Sequence, residues 1–213
     1  FKIKKIGKGL SNPWGIAVLS EDEILVTERA GNLYKVNLIN GSTKSIKNVP
    51  EVVAQRQGGL LDILVDKKSK NNIYLCFSKR EAEGVSTALS VSSLRNNELV
   101  STKILFSSNN KSNSTVHFGC RIGIKGDYVY LSIGDRGDRH QSQNPHSHAG
   151  SVIKINKHNG SLPNGSNFFK SSTYKQNLLS QEYFQYSMIH HVEMNFHNYL
   201  HGILILSKFL YLY

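Results

Sequence analysis

The sequence predicts an all-β protein built as part of a β-propeller, and three observations carry that prediction. Short stretches of alternating apolar and polar residues are separated by polar turns rich in Gly, Asn, Asp and Ser. One strand–turn–strand unit restarts three times, roughly every 45 to 60 residues, a period that suits propeller blades. Helical periodicity is nearly absent before residue 170. A β-sandwich also uses short strands and frequent turns, but it would not restart the same unit three times.

The first copy places strands at 15–19, 24–28 and 33–37, with Glu21, Asp22 and Glu23 in the first turn. The second copy repeats the plan at 61–65, 73–78 and 88–92, with a polar turn at 67–72. The third is a hairpin from Arg121 to Asp135 that turns at Lys125-Gly126-Asp127, followed by a strand at 150–155. Trp14, after Pro13, is expected to anchor the core between blades. Beyond Ser171 the alternation fades, and 183–213 is crowded with His, Tyr, Phe, Leu and Ile without strand punctuation. Residues 1–180 therefore read as propeller blades and 181–213 as an anomalous tail, non-native or frame-shifted. The apolar run 202–213 is too short and too interrupted to span a bilayer, so no membrane span is expected.

With 213 residues, 39% of them hydrophobic, the chain is long enough for one domain with a real core. It carries 26 Lys and Arg against 15 Asp and Glu, a formal net charge of +11. Apart from a loose cluster at Lys2, Lys4, Lys5 and Lys8 the basic residues are scattered, and no nucleic-acid-binding motif accompanies them. They read as solvated faces, and nucleic acid is not an expected partner. The two cysteines, Cys76 and Cys120, exclude a disulfide scaffold and a cysteine-based zinc site. Both lie in apolar strand patterns and read as buried free thiols, with a single bridge left open. No Gly-Xaa-Gly-Xaa-Xaa-Gly follows a strand ahead of a helix, which disfavours a nicotinamide enzyme. Asn-Xaa-Ser/Thr triplets at Asn40, Asn110, Asn113 and Asn164 are what an Asn- and Ser-rich chain produces by chance.

The chemistry concentrates at the two ends of the third hairpin. His117-Phe118-Gly119-Cys120-Arg121 opens it and Gly134-Asp135-Arg136-Gly137-Asp138 closes it. A hairpin folds its ends back to one edge, so His117 and Asp135 can meet as a base and the carboxylate that orients it. On the residues alone His117 reads equally as a hydrogen-bonded strand-end histidine, and Asp135 as an ordinary turn aspartate. His140, His146 and His148 lie in a loop at a spacing that fits no common metal site, and no metal ligands are assigned.

Further segments extend the pattern: Asn12-Pro13-Trp14-Gly15-Ile16-Ala17, Val26-Thr27-Glu28-Arg29-Ala30-Gly31, Val53 to Asp62 with Gln55-Arg56-Gln57-Gly58-Gly59, and Ser147-His148-Ala149-Gly150. In this order, from about Leu10 to about Asn167, the set resembles the soluble PQQ-dependent glucose/sorbosone dehydrogenases, and within them the aldose sugar dehydrogenases. The resemblance implies a six-bladed propeller, of which this chain holds about three to four blades. It implies pyrroloquinoline quinone (PQQ) and calcium as cofactors, an aldose sugar oxidised at C1 with hydride passing to the quinone, an external electron acceptor, and a periplasmic or secreted location. It implies His117 as the base, Asp135 as its orienting carboxylate, and Gln57 as a cofactor contact. Gly58-Gly59 is expected to let backbone approach a flat ring system, and Arg139-His140-Gln141-Ser142 to line the sugar pocket.

Two departures bear on that reading. Where the family places an Arg-Asn cofactor-binding segment, the chain has 184–191, which lacks both, and position 151 is Ser instead of Lys. Calcium ligands of the later blades are missing. The expectation is an impaired or inactive enzyme as this chain; the alternative is a non-catalytic propeller remnant or binding module. Self-association through open blade faces is expected in either case.

Overall fold

A computed structural model of the protein describes residue 6 and residues 9–163. They belong to one of two compact units, residues 6–170. The predicted boundary at residue 180 and the anomalous tail lie outside the described residues.

The described chain is a succession of antiparallel meanders. β1 (Pro13–Val18), β2 (Glu23–Glu28), β3 (Leu33–Asn37) and β4 (Thr43–Ser45) form the first sheet in chain order. β5 (Leu60–Asp66), β6 (Ser69–Glu81), β7 (Gly84–Arg95) and β8 (Glu98–Ser107) form the second in the same way. β9 (Gly119–Lys125), β10 (Tyr128–Ile133) and β11 (Val152–Asn156) form the third, with β10 in the middle. These three blade-like sheets are the incomplete propeller that the repeats predict. The helical content among the described residues is one short 3-10 turn, Arg139–Gln143.

Alternation along each strand decides which neighbour it packs against. In the second sheet Leu60, Ile73, Leu75 and Phe77 join Leu25 and Leu33 of the first sheet in one buried cluster. The intervening Leu61, Tyr74 and Cys76 face the other way, against Ile122, Val129, Leu131 and Ile153 of the third sheet. A register shift between Leu60 and Asp62 lets Ile63 rejoin the first-sheet side. The first sheet's other face carries Ile24, Val26 and Val36, covered by Ile6, Leu10 and Ile16 among others.

Two expectations are corrected here. Cys76 and Cys120 are not free thiols: they form a disulfide from β6 to β9, with Cα atoms 5.6 Å apart. Each is buried in an apolar pattern as expected, but the two patterns face each other across the seam between sheets. Trp14 is no core anchor. At the start of β1 its residue is 42% exposed, and the interior of the seam is filled by Leu, Ile and Phe. β4, exposed throughout, and β8 were not foreseen.

Candidate functional site

Three connections between strands converge at one place. The β8–β9 connection carries His117, the β10–β11 connection carries Asp135, and the β4–β5 connection carries Gln57. Closure of the β9–β10 hairpin brings the first two together. Gly134 N–H donates to the Phe118 carbonyl at 3.1 Å, and Arg136 N–H donates to the His117 carbonyl at 3.1 Å. A Cβ on Gly134 would stand 2.0 Å from the His117 oxygen, so only glycine lets the chains cross this closely.

His117 Nδ1 lies 2.7 Å from Asp135 Oδ1. The same carboxylate oxygen accepts the Gly137 N–H at 2.8 Å. Burial raises the Asp135 pKa, but the Gly137 N–H and the His117 ring outweigh it, and the net shift is downward from the ordinary value. An ionised Asp135 accepts from Nδ1–H, which leaves the imidazole lone pair on Nε2. The His117 side chain is 55% exposed against 23% for Asp135, so the anchored edge is covered while the ring reaches solvent. A base poised this way can take a proton from a hydroxyl.

Gln57 meets His117 through the backbone: its Oε1 accepts the His117 N–H at 2.7 Å. Its own N–H donates to Thr115 at 3.1 Å. The loop is held from the first sheet by Arg29, whose Nη1 donates to the carbonyls of Arg56 at 2.7 Å and Gly58 at 3.4 Å. His117, Asp135 and Gln57 are therefore one hydrogen-bonded group. The non-glycine residues Arg56, His117, Cys120 and Arg136 all have positive φ, between +46° and +83°. Strain of that kind collects where surrounding bonds over-determine the backbone.

Gly58 and Gly59 pack closely against the chain's own backbone. A Cβ on Gly59 would lie 1.9 Å from the Arg29 carbonyl oxygen, and one on Gly58 would lie 2.8 Å from that of Val53. On the side a Cβ would take, these glycines admit the chain's own backbone. Arg139 and His140 are exposed on the 3-10 turn, which Asp138 caps by accepting the His140 N–H at 3.2 Å. His148 packs on Phe106, and its Nδ1 accepts the Asn109 N–H at 3.0 Å. An open cavity of about 390 Å³ adjoins Asp135, lined by Asn109, Asn110, Lys111, Asp138 and Asn144 among others.

Sequence reasoning passed over two residues. Asp62 is buried and accepts from Arg121 Nη1 at 3.0 Å and from Ile122 N–H at 2.8 Å, fixing the start of β9. Burial raises its pKa against both partners. Arg136, inside the motif that was singled out, is 3% exposed. Its Nε donates to Val116 at 3.1 Å, its Nη1 to Val85 at 2.7 Å, and its Nη2 to the Ser114 carbonyl. The guanidinium carbon sits 3.6 Å from the centre of the Phe118 ring. Burial pulls the Arg136 pKa down to about 10, which leaves it charged at neutral pH. A buried arginine between two turn glycines gives no periodic signal.

The cofactors implied by the resemblance can be tested against these residues. No cluster of three or more His, Cys, Asp or Glu side chains that could hold a metal ion occurs among the described residues. His117 and Gln57 fit one side of a quinone and sugar site, an exposed base beside an amide.

Residues 10–181 match the family model described as Glucose / Sorbosone dehydrogenase. The aldose sugar dehydrogenase of Escherichia coli is 27% identical over 170 residues, 76% of this chain and 46% of that protein. A solved glucose dehydrogenase superposes with a TM-score of 0.71 at 27% identity, covering 77% of this chain and 53% of that one. The PQQ-bound aldose sugar dehydrogenase of Streptomyces coelicolor superposes with a TM-score of 0.64 at 25% identity, covering 78% and 50%. The chain spans less than half the length of the curated relatives it matches. By the extent of the family match and by the fold, the chain belongs to the glucose/sorbosone dehydrogenase family.

Proposed function

We propose that this chain carries the base half of a PQQ-dependent aldose dehydrogenase site, with His117 taking the C1 hydroxyl proton of the sugar. The observation that supports it most is the 2.7 Å bond from His117 Nδ1 to Asp135, with the ring otherwise exposed. The quinone, when bound, supplies the two-electron hydride acceptor. Nε2 accepts the hydroxyl proton, and the growing alkoxide character at C1 favours release of the hydride from that carbon. Asp135 holds the ring in the useful tautomer and stabilises the imidazolium once the proton has arrived. Gln57 fixes the height of His117 through the backbone N–H that its Oε1 accepts, and its amide Nε2 would be the contact to the cofactor. The sugar leaves as the lactone, and an external acceptor removes the electrons. No step is assigned to calcium. The disulfide supports an oxidising compartment, periplasmic or secreted. No helix long and apolar enough to cross a membrane occurs among the described residues.

The test is dye-linked aldose oxidation with added PQQ and calcium, on the 213-residue chain and on any longer in-frame polypeptide that contains it. His117→Gln is expected to lower kcat by about a hundredfold or more. An unchanged rate in that variant would overturn the assignment. The competing reading is a propeller remnant or binding module, motivated by the sequence 184–191, which lacks the Arg-Asn pair the family uses for the cofactor. It predicts that neither polypeptide binds the quinone.

A further inference from the structure

We propose that Arg136 is a positioning residue for His117, fixing the backbone that carries the base while the neighbouring Asp135 orients its ring. The inference rests on His117 being the base proposed above. Arg136 grips the segment 114–118 almost continuously. Its side chain donates to the carbonyls of Ser114 and Val116, its backbone N–H donates to that of His117, and its guanidinium covers the ring of Phe118. The remaining donor ties the segment to Val85 on β7 in the second sheet.

Two features distinguish this from ordinary packing. First, all three guanidinium nitrogens go to carbonyl oxygens and none to a carboxylate, so the side chain serves as a fork for backbone, not as half of an ion pair. A planar fork fixes the spacing of carbonyls 114 and 116 in a way a flexible ammonium cannot. Second, the residue that follows those carbonyls has φ +52°, left-handed backbone that few non-glycine residues adopt, so bonds on its flanks help to keep it there. Gln57 holds the His117 N–H and the Thr115 carbonyl, Thr87 and Gly134 hold the Phe118 carbonyl, and Arg136 holds the carbonyls of Ser114, Val116 and His117. Adjacent residues of one turn thus supply the ring's partner and the backbone's clamp.

The reporter is the Nδ1–H proton of His117, seen in imidazole nitrogen–proton NMR spectra of the whole chain and assigned by its loss in His117→Gln. In the parent protein the bond to Asp135 should protect this proton from solvent exchange. Arg136→Lys keeps the charge over Phe118 but not the fork, and exchange should become about tenfold faster with melting still cooperative. Arg136→Gln should do at least as much. Phe118→Leu, which leaves the fork intact, should have a smaller effect in the same direction. Asp66→Asn breaks a buried ion pair of the same two sheets away from the site and should leave the proton unchanged.

Protection in Arg136→Lys within about twofold of the parent overturns the proposal, as does an equal loss in Asp66→Asn. Failure of both Arg136 variants and of Phe118→Leu to fold would also overturn it, because Arg136 would then be a residue of the fold alone. The readout needs no quinone. Loss of the protected proton in Arg136→Lys, with no sugar oxidised by this chain or by a longer in-frame polypeptide that contains it, sinks the functional reading and leaves Arg136 as the holder of the His117–Asp135 pair.

Discussion

Between the first and second sheets the buried layer is Leu25, Leu33, Leu60, Ile73, Leu75 and Phe77 with Ile46, Ile63, Leu99 and two alanines. Between the second and third, a comparable apolar layer is crossed by the Cys76–Cys120 disulfide and by polar clamps. These are the Lys157–Asp66 pair at 3.0 Å, the Asp62 carboxylate on the start of β9, and Arg136. Apolar contact alone holds two sheets together but tolerates small slips, since dispersion and burial are not directional. Bonds with fixed partners do not. The first seam has hydrogen bonds of its own, from the Leu60 N–H to the Arg29 carbonyl at 3.1 Å and from Thr27 Oγ1 to that of Leu61 at 3.3 Å. The covalent bridge and the buried charged groups belong to the second, which sets His117 against Asp135.

Phe77→Ala is the strongest way to break the first seam. A fully buried phenyl ring lost from a packed layer costs about 3 to 5 kcal/mol. Urea unfolding should show that loss to nearly the same extent with and without reductant. If reductant changes the difference substantially, the two seams are not independent.

The disulfide breaks the second seam. Replacing both cysteines by alanine opens a link between residues 44 apart, worth about 4 kcal/mol by the chain-entropy account. The loss should appear in the double variant and be absent when the reduced parent is the reference. Cys120 has φ +83°, so in a Cys76→Ala background Cys120→Gly should melt higher than Cys120→Ala. The reverse order would mean that the bridge does not offset backbone strain there.

Next comes the ion pair. Lys157 and Asp66 side chains are 5% and 4% exposed, and Tyr74 donates its hydroxyl to the Lys157 carbonyl at 3.1 Å. Asp66→Asn strands a buried ammonium and should cost about 3 kcal/mol. The pair also gives the seam a pH dependence. For Asp66, burial works upward, but the Lys68 N–H and Lys157 prevail and hold the pKa below its ordinary value of 3.8. Asp135 is likewise lowered. Both contribute stability that is present above the unfolded value and lost as pH falls through the folded one. Asp62, raised by burial, has the opposite sign: its contribution is present at low pH and lost as pH rises through its folded pKa. Stability should therefore fall with acid below about pH 4, and more steeply in Asp62→Asn. Phe77→Ala should shift that acid curve downward without changing its shape.

How much of this was legible follows from the range over which each signal acts. Most strands of the three sheets show in the sequence as apolar runs bounded by polar turns, as in 24–28 and 73–78, which are buried on both faces. The His117–Asp135 meeting was legible because a short hairpin joins them, and the turn at Gly126 leaves little freedom in where its ends arrive. β4 was not, since its residues Thr43, Lys44 and Ser45 are all exposed and carry no apolar face. The disulfide joins different sheets, and nothing local to Cys76 or Cys120 encodes the other. Arg136 was read as part of a turn motif because burial of a guanidinium depends on carbonyls supplied by residues 85, 114 and 116. Trp14 failed in the other direction: size suggested a core role, whereas the strand's start left it at the surface.

Arg29→Ala is the smallest perturbation and the one that asks whether the first sheet reaches the site at all. Arg29 bonds the carbonyls of Arg56 and Gly58 on either side of Gln57, at a half-exposed place where each such bond is worth about 1 kcal/mol or less. Its loss should lower the melting temperature by only a few degrees. The backbone N–H groups of Gln57 and His117, which bond Thr115 and the Gln57 amide, should nevertheless exchange faster, because the loop between them would lose its outer tether. Amides of β10 and β11, held by the second seam, should not change. Faster exchange confined to 56–58 would mean that Gln57 follows His117 and does not hold it, and the site would then belong to the second seam alone.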